Sequence, residues 1–156
     1  MRIKGFKLNR LFLLLILMQF FTSCVPEACL EETTSFLNAT FYKSATYKPI
    51  APDSVTVFGI GKDDNKLYNK AINTLSIKLP LDASSETCGF VIRINGATDT
   101  LRFTYSNYPH LISKACGITF FHSLDTFRLS VRPVNSIIIT NKNIATFNEE
   151  NIRIFY

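Results

Sequence analysis

Four cysteines (Cys24, Cys29, Cys88 and Cys116) and two histidines (His110 and His122) carry most of the covalent chemistry open to this 156-residue chain. A thiol can attack, accept a lipid, hold a metal or close a disulfide, and its neighbours decide which. Cys116 with His110, or Cys88 with His122, would make a nucleophile–base dyad if the fold brought them together. His122, however, alternates with Phe120 and Leu124, the pattern of a core or edge imidazole on a strand. His110 follows Pro109 and reads as a loop residue. Two imidazoles leave little material for a zinc site, and no metal or other cofactor is expected. The acidic pairs Glu31-Glu32, Asp63-Asp64 and Glu149-Glu150 point to opposite sides of an extended chain and cannot share a substrate. Gly59-Ile60-Gly61-Lys62 lacks two parts of a phosphate loop, since Thr56 stands at the first glycine position and Asp63 follows the lysine; a hairpin turn fits it better. Asp63 and Asn65 open like a calcium loop, but Leu67 takes its fifth position and no glycine follows. With no catalytic template complete, a non-enzymatic role is the expectation.

Cys24 has the most informative neighbours. Arg2, Lys4, Lys7 and Arg10 precede an apolar run over residues 11–21 broken only by Gln19, and Thr22-Ser23 lead into the cysteine. Crossing a roughly 30 Å hydrocarbon core takes about 20 apolar residues, so this run has the length of a cleaved signal peptide. Phe21-Thr22-Ser23-Cys24 resembles a bacterial lipobox, with Phe where Leu is commoner. The cysteine of such a motif takes a diacylglyceryl group on its sulfur and becomes the first residue after cleavage. Residues 1–23 are therefore expected to leave as a signal peptide, residues 24–35 to form a lipidated tether, and residues 36–156 to form one domain. Two or three acyl chains hold stably where a single chain is marginal.

Removing the leader changes the charge. The whole chain has 17 Lys+Arg against 12 Asp+Glu, and subtracting the four leader cations leaves 13 against 12. The apparent basicity belongs to the discarded segment, so nucleic acid loses its electrostatic case as a partner.

The tether gives way to repeated two-residue alternation, the mark of half-buried strands. Leu37, Ala39 and Phe41 alternate with polar residues; residues 55–60 follow a break at Pro49 and Pro52; Leu75, Ile77, Leu79 and Leu81 make the cleanest run. Phe90, Ile92 and Ile94 lead into Asn95-Gly96, a strong hairpin signal, and Leu101, Phe103 and Tyr105 share one face of the return strand. A strict two-residue turn sets Ile92 opposite Asp99, a carboxylate on an apolar face, for which a bulge or a sheet edge is expected. Tyr108-Pro109-His110 reads as the next loop, and residues 118–124, 127–132, 136–140 and 151–156 as further strands. Thr146 to Glu149 has capping-box spacing but room for one helical turn at most. Eight or nine short strands predict an all-β fold, an antiparallel β-sandwich of immunoglobulin-like or transthyretin-like type.

If Cys24 carries lipid, three cysteines remain for disulfides, which allows one pair and one free thiol. Cys29 with Cys116, leaving Cys88 as a small buried hydrophobe, is the pairing we favour, with the others or none still open. It would close a long loop and contribute on the order of 4 kcal/mol. Five steps separate Cys24 from Cys29, and at about 3.6 Å per residue they span no more than ~18 Å. On the surface, Asp53-Ser54-Val55 makes Ser54 a candidate O-glycosylation site, with Asp99-Thr100-Leu101 a weaker one in a strand. Arg93, Arg102, Arg128, Arg132 and Arg153 fall on polar strand faces. Tyr105 and Tyr108 are the candidate ligand surface, since a carbohydrate module displays aromatic rings and this chain has no Trp.

Cys24-Val-Pro-Glu-Ala-Cys29-Leu-Glu-Glu-Thr, Leu79-Pro-Leu, the stretch from Tyr108 to Gly117 and the tail from Thr146 to Phe155 together resemble a family of small uncharacterised Bacteroidota lipoproteins. The resemblance implies a lipoprotein and no activity, and it favours the Cys29 to Cys116 pairing. The expected function is that of a non-catalytic accessory module, held to the membrane by lipid and docking on another envelope protein such as an outer-membrane barrel. A glycan- or peptide-binding sandwich is the alternative. Val25 in place of Asp favours the outer membrane, and the dispersed Glu27, Glu31 and Glu32 favour its periplasmic face.

Overall fold

A computed structural model describes residues 28–130 and 133–156. The leader, Cys24, the first part of the tether and Arg132 lie outside the described residues. Ten strands follow in order: β1 (Phe36–Tyr42), β2 (Val55–Gly59), β3 (Lys66–Ala71), β4 (Ser76–Pro80), β5 (Thr87–Ile94), β6 (Ala97–Ser113), β7 (Gly117–Leu129), β8 (Ser136–Ile139), β9 (Asn143–Ile144) and β10 (Ile152–Phe155). They form a four-stranded sheet, β4-β1-β10-β8, and a six-stranded sheet, β3-β2-β5-β6-β7-β9. All pairings are antiparallel except β1 with β10. The two sheets pack together as a β-sandwich.

The alternating residues supply the core. Leu37, Ala39 and Phe41 of β1 face inward with Ile77 and Leu79 of β4 and Ile152 and Ile154 of β10. Val55 and Val57, Phe90, Ile92 and Ile94, and Leu101, Phe103 and Tyr105 line the other sheet. Burying one such side chain contributes about 1.5–3 kcal/mol, and the two-residue period is what delivers them all to the same side. Asn95 and Gly96 take φ of 50° and 88°, the left-handed pair that a two-residue hairpin requires. Gly59 to Lys66 closes the β2–β3 hairpin through Lys62 N–H to Gly59 O, 2.9 Å, and Asn65 N–H to Lys62 O, 3.0 Å.

The structure corrects three expectations. Tyr108-Pro109-His110 is not a loop, because β6 runs through it to Ser113. Tyr105 donates its backbone N–H to Glu86, on the β5 side. By alternation the Pro109 nitrogen faces that same side, where β5 has already ended, so the missing N–H breaks no ladder bond. Residues 118–124 and 127–132 are not two strands; β7 is continuous through Leu129, and one register shift near Asp125, a bulge, produces the break in alternation. Ile92 does pair with Asp99, but the β5–β6 register is unbroken and both strands are internal. Asp99 is accommodated instead by hydrogen bonds from Ser130 Oγ at 2.5 Å, Ser130 N at 3.1 Å and Thr100 N at 2.7 Å. The 146–149 segment has no helix, within the limit of one turn expected of it, and bends at Thr146 and Phe147.

Candidate functional site

Beyond the pairing of Thr87 with Thr104, β6 loses β5, and β7 is joined by β9 only at His122 and Ser123. Residues 108–113 and 117–121 thus continue as a two-stranded arm, about 20 Å long at 3.3 Å per residue. A two-stranded ribbon is marginal by itself, so something else must hold it. The Cys29–Cys116 disulfide does so at the tip, with Cα atoms 4.7 Å apart. From there residues 28–35 follow the arm back to the sandwich: Thr119 Oγ1 donates to Thr33 O at 2.5 Å and Ser35 Oγ to Phe120 O at 2.7 Å. The tip turns through Gly117 at φ 75°, and Cys116 N–H donates to Ser113 Oγ at 3.1 Å.

The two faces of the arm differ. On one, His110 stacks on Phe121 with ring centroids 4.2 Å apart, and Tyr108 meets Phe121 edge-on at 6.1 Å. The Tyr108 hydroxyl donates to Asn143 Oδ1 at 2.6 Å, and Phe121 is buried. On the other, Pro109 pairs with Phe120 and Leu111 with Ile118. Phe120 is 42% exposed, Leu111 60% and Ile118 69%, and Leu30, next to the disulfide, is 93% exposed. Periodicity alone could have found this apolar ladder only if the arm had been recognised as strand. The proline concealed it.

At the root of the arm lies a polar network. Asn107 Nδ2 donates to Ala83 O at 3.2 Å and to Ser85 O at 2.7 Å, leaving its Oδ1 to accept from His122 Nδ1 at 2.6 Å. That assignment puts the proton of neutral His122 on Nδ1. Burial lowers the imidazole pKa, and Tyr105 packs edge-on against it at 5.4 Å. The Tyr105 hydroxyl accepts from Asp82 N at 3.0 Å and donates to Asp82 O at 3.1 Å. His122 is therefore the buried, satisfied histidine that its strand position predicts.

Tyr105 and Tyr108 do not form a common ligand surface. They are three residues apart on one strand and so face opposite ways, and Tyr105 is buried. Cys116 is oxidised in the disulfide, so it makes no dyad with His110. Cys88 is free and half-buried, its thiol pushed up to about 12 by burial, against a partial lowering from its bond with Tyr105. Ser54 is half-buried immediately before β2, its N–H donating to Asn95 Oδ1 at 3.1 Å. Thr100 lies in β6. Arg102 and Arg128 sit directly opposite in register, with Arg93 on the same outer face, while Arg153 belongs to the other sheet and pairs with Glu150 at 2.6 Å.

One grouping was not anticipated. At the end of β1 away from the arm, Phe155 packs against Tyr42 at 5.4 Å and against Tyr47 at 5.5 Å. Lys43 lies 4.7 Å over the Tyr156 ring and Arg153 5.1 Å over that of Tyr42. Tyr47 is strongly exposed and held at φ 56°. Its loop gave no periodic signal, and Phe155 is 108 positions away in sequence from Tyr47, so only the fold assembles the group.

No curated protein and no solved structure matches the chain. Residues 54–156, more than half of the sequence and including the arm and Cys116 but not Cys29, match a family of unknown function (DUF6452), and the chain belongs to that family.

Proposed function

We propose that this protein is a lipid-anchored, non-catalytic accessory lipoprotein of the bacterial outer membrane, of the small Bacteroidota type that its motifs resemble, facing the periplasm and docking on another envelope protein. The observation that carries the reading is the disulfide at the arm tip. It fastens Cys29, five steps after the lipobox cysteine, to one end of the molecule. A domain with this strap works at the membrane to which Cys24 is attached and presents its opposite end outward. The test is crosslinking in native membranes followed by capture of the protein. Recovery of a defined envelope partner supports the reading, and recovery of none removes the docking role. Intact mass of the membrane-extracted chain checks the anchor: a diacylglyceryl adduct on a chain beginning at Cys24 is expected.

A second reading, a glycan- or peptide-binding sandwich, draws support from the exposed Tyr47 beside Tyr42 and Phe155. An exposed Tyr47 ring braced against the buried Phe155 suits stacking on a sugar or side chain. A glycan array and a peptide library separate the two readings, and binding lost in Tyr47→Ala with folding unchanged would favour the second.

A further inference from the structure

We propose that the apolar ladder of the arm, Pro109 with Phe120 and Leu111 with Ile118, together with Leu30, rests in the headgroup and upper acyl region of the bilayer to which Cys24 is anchored. The inference builds on the lipid-anchor reading and adds which surface of the domain meets the lipid. Three observations carry it. The strap of at most ~18 Å ends at the disulfide, so the arm tip is the part of the fold held nearest to the anchor. Large apolar side chains are left exposed there: Leu30 at 93%, Ile118 at 69% and Leu111 at 60%. Leu111 and Ile118 are directly opposite in register on one face of the arm, and Leu30 lies one residue from the disulfide at the same tip, rather than scattered singly as surface apolar groups commonly are.

The flanking chemistry agrees with an interface position. Tyr108 carries a half-exposed ring on the opposite face of the arm, and Lys114 lies at the turn itself, the aromatic and cationic residue types that settle at the headgroup level. Glu31 lines the same shallow cleft as Lys114, so opposite charges share the tip and the drive is apolar rather than electrostatic. Depth is limited by the backbone. Beyond Tyr105 the β5 side of β6 has no partner strand, and backbone N–H and C=O groups cannot be left bare in hydrocarbon. Side chains enter, and the ribbon stays at the surface.

The chain contains no tryptophan, so Ile118→Trp creates a sole tryptophan reporter at the ladder, excited selectively over the tyrosines. Ile72→Trp provides a comparator, since Ile72 has the same 69% exposure but follows β3, near the end of the sandwich opposite the arm. Both variants are purified as the full mature protein and reconstituted into phosphatidylethanolamine/phosphatidylglycerol vesicles, some with acyl chains brominated near the headgroup. Emission at 118 is expected to shift to the blue on reconstitution and to be quenched several-fold more by the brominated lipid than emission at 72. Equal quenching at the two sites overturns the proposal. So does emission at 118 that is blue-shifted before lipid is added and insensitive to bromine, because a second copy or another protein segment would then cover the ladder. Mass analysis of the same samples separates the two levels. An acylated chain with an unquenched reporter removes only the arm contact, whereas a chain with no acyl group on Cys24 removes the anchor and this inference with it.

Discussion

At the scale of single residues, the fold buries His122, half-buries Cys88 and oxidises Cys116. The Cys88 thiol, raised to about 12 by burial, is a poor nucleophile at neutral pH because the thiolate is the reactive form. Under native, non-reducing conditions at pH 8 the acylated protein is expected to show almost no maleimide labelling, and one labelled site, Cys88, after denaturation; rapid native labelling would contradict the assignment. His122 gives a pH prediction of definite sign. Its folded pKa lies below the ordinary 6.5 because burial disfavours the charged ring. Below pH 6.5 the unfolded chain takes up a proton that the folded chain resists, so stability is present in full above 6.5 and declines as pH falls until the folded imidazole protonates. Chemical denaturation at a series of pH values should show that loss in the wild type and a smaller slope in His122→Asn, measured against each protein's own value at pH 8.

At the scale of elements, the β6–β7 arm depends on a covalent clasp and the β5–β6 hairpin on a turn. Replacing both clasp cysteines, in Cys29→Ser/Cys116→Ser, removes a link between residues 87 positions apart, and the chain-entropy account puts the loss on the order of 4 kcal/mol. Urea unfolding measures it, and amide exchange is expected to locate the loosening in residues 108–121 rather than in the sandwich. Gly96→Ala places a Cβ at φ 88°, a left-handed conformation that costs a residue with a side chain about 1–2 kcal/mol. A shift of that size in the unfolding midpoint with an unchanged slope is the expected result. Strand positions were largely legible because alternation and Asn95-Gly96 are local signals. Two were misjudged for local reasons as well. Pro109 imitates a break where it faces an open edge, and the bulge near Asp125 imitates a strand end.

At the scale of the whole molecule, one chain has to fill two inner faces, and it does so by sending every second residue of most of its strands inward. Ile77 and Ile138 offer a matched test, the same residue type in the same four-stranded sheet, one fully buried and the other half exposed. Ile77→Ala is expected to cost about 2–5 kcal/mol through lost burial and the cavity left behind, and Ile138→Ala within about 1 kcal/mol, both read by denaturant unfolding. The sequence by itself determined the all-β class and the period that sorts core from surface, and it alone supplies the basic, apolar and cysteine-bearing first 24 residues from which the membrane proposal is argued, because each is written in residues close together along the chain. Only the tertiary structure decided that Cys29 meets Cys116 and that Tyr105 turns away from Tyr108. It alone also decided that Asp99 finds Ser130, that Tyr47 finds Phe155, and that Leu111 and Ile118 are left bare at the end of an arm. Those outcomes depend on which strands are neighbours and on where a partner strand stops, and pairings between distant segments leave no mark in the spacing of either one.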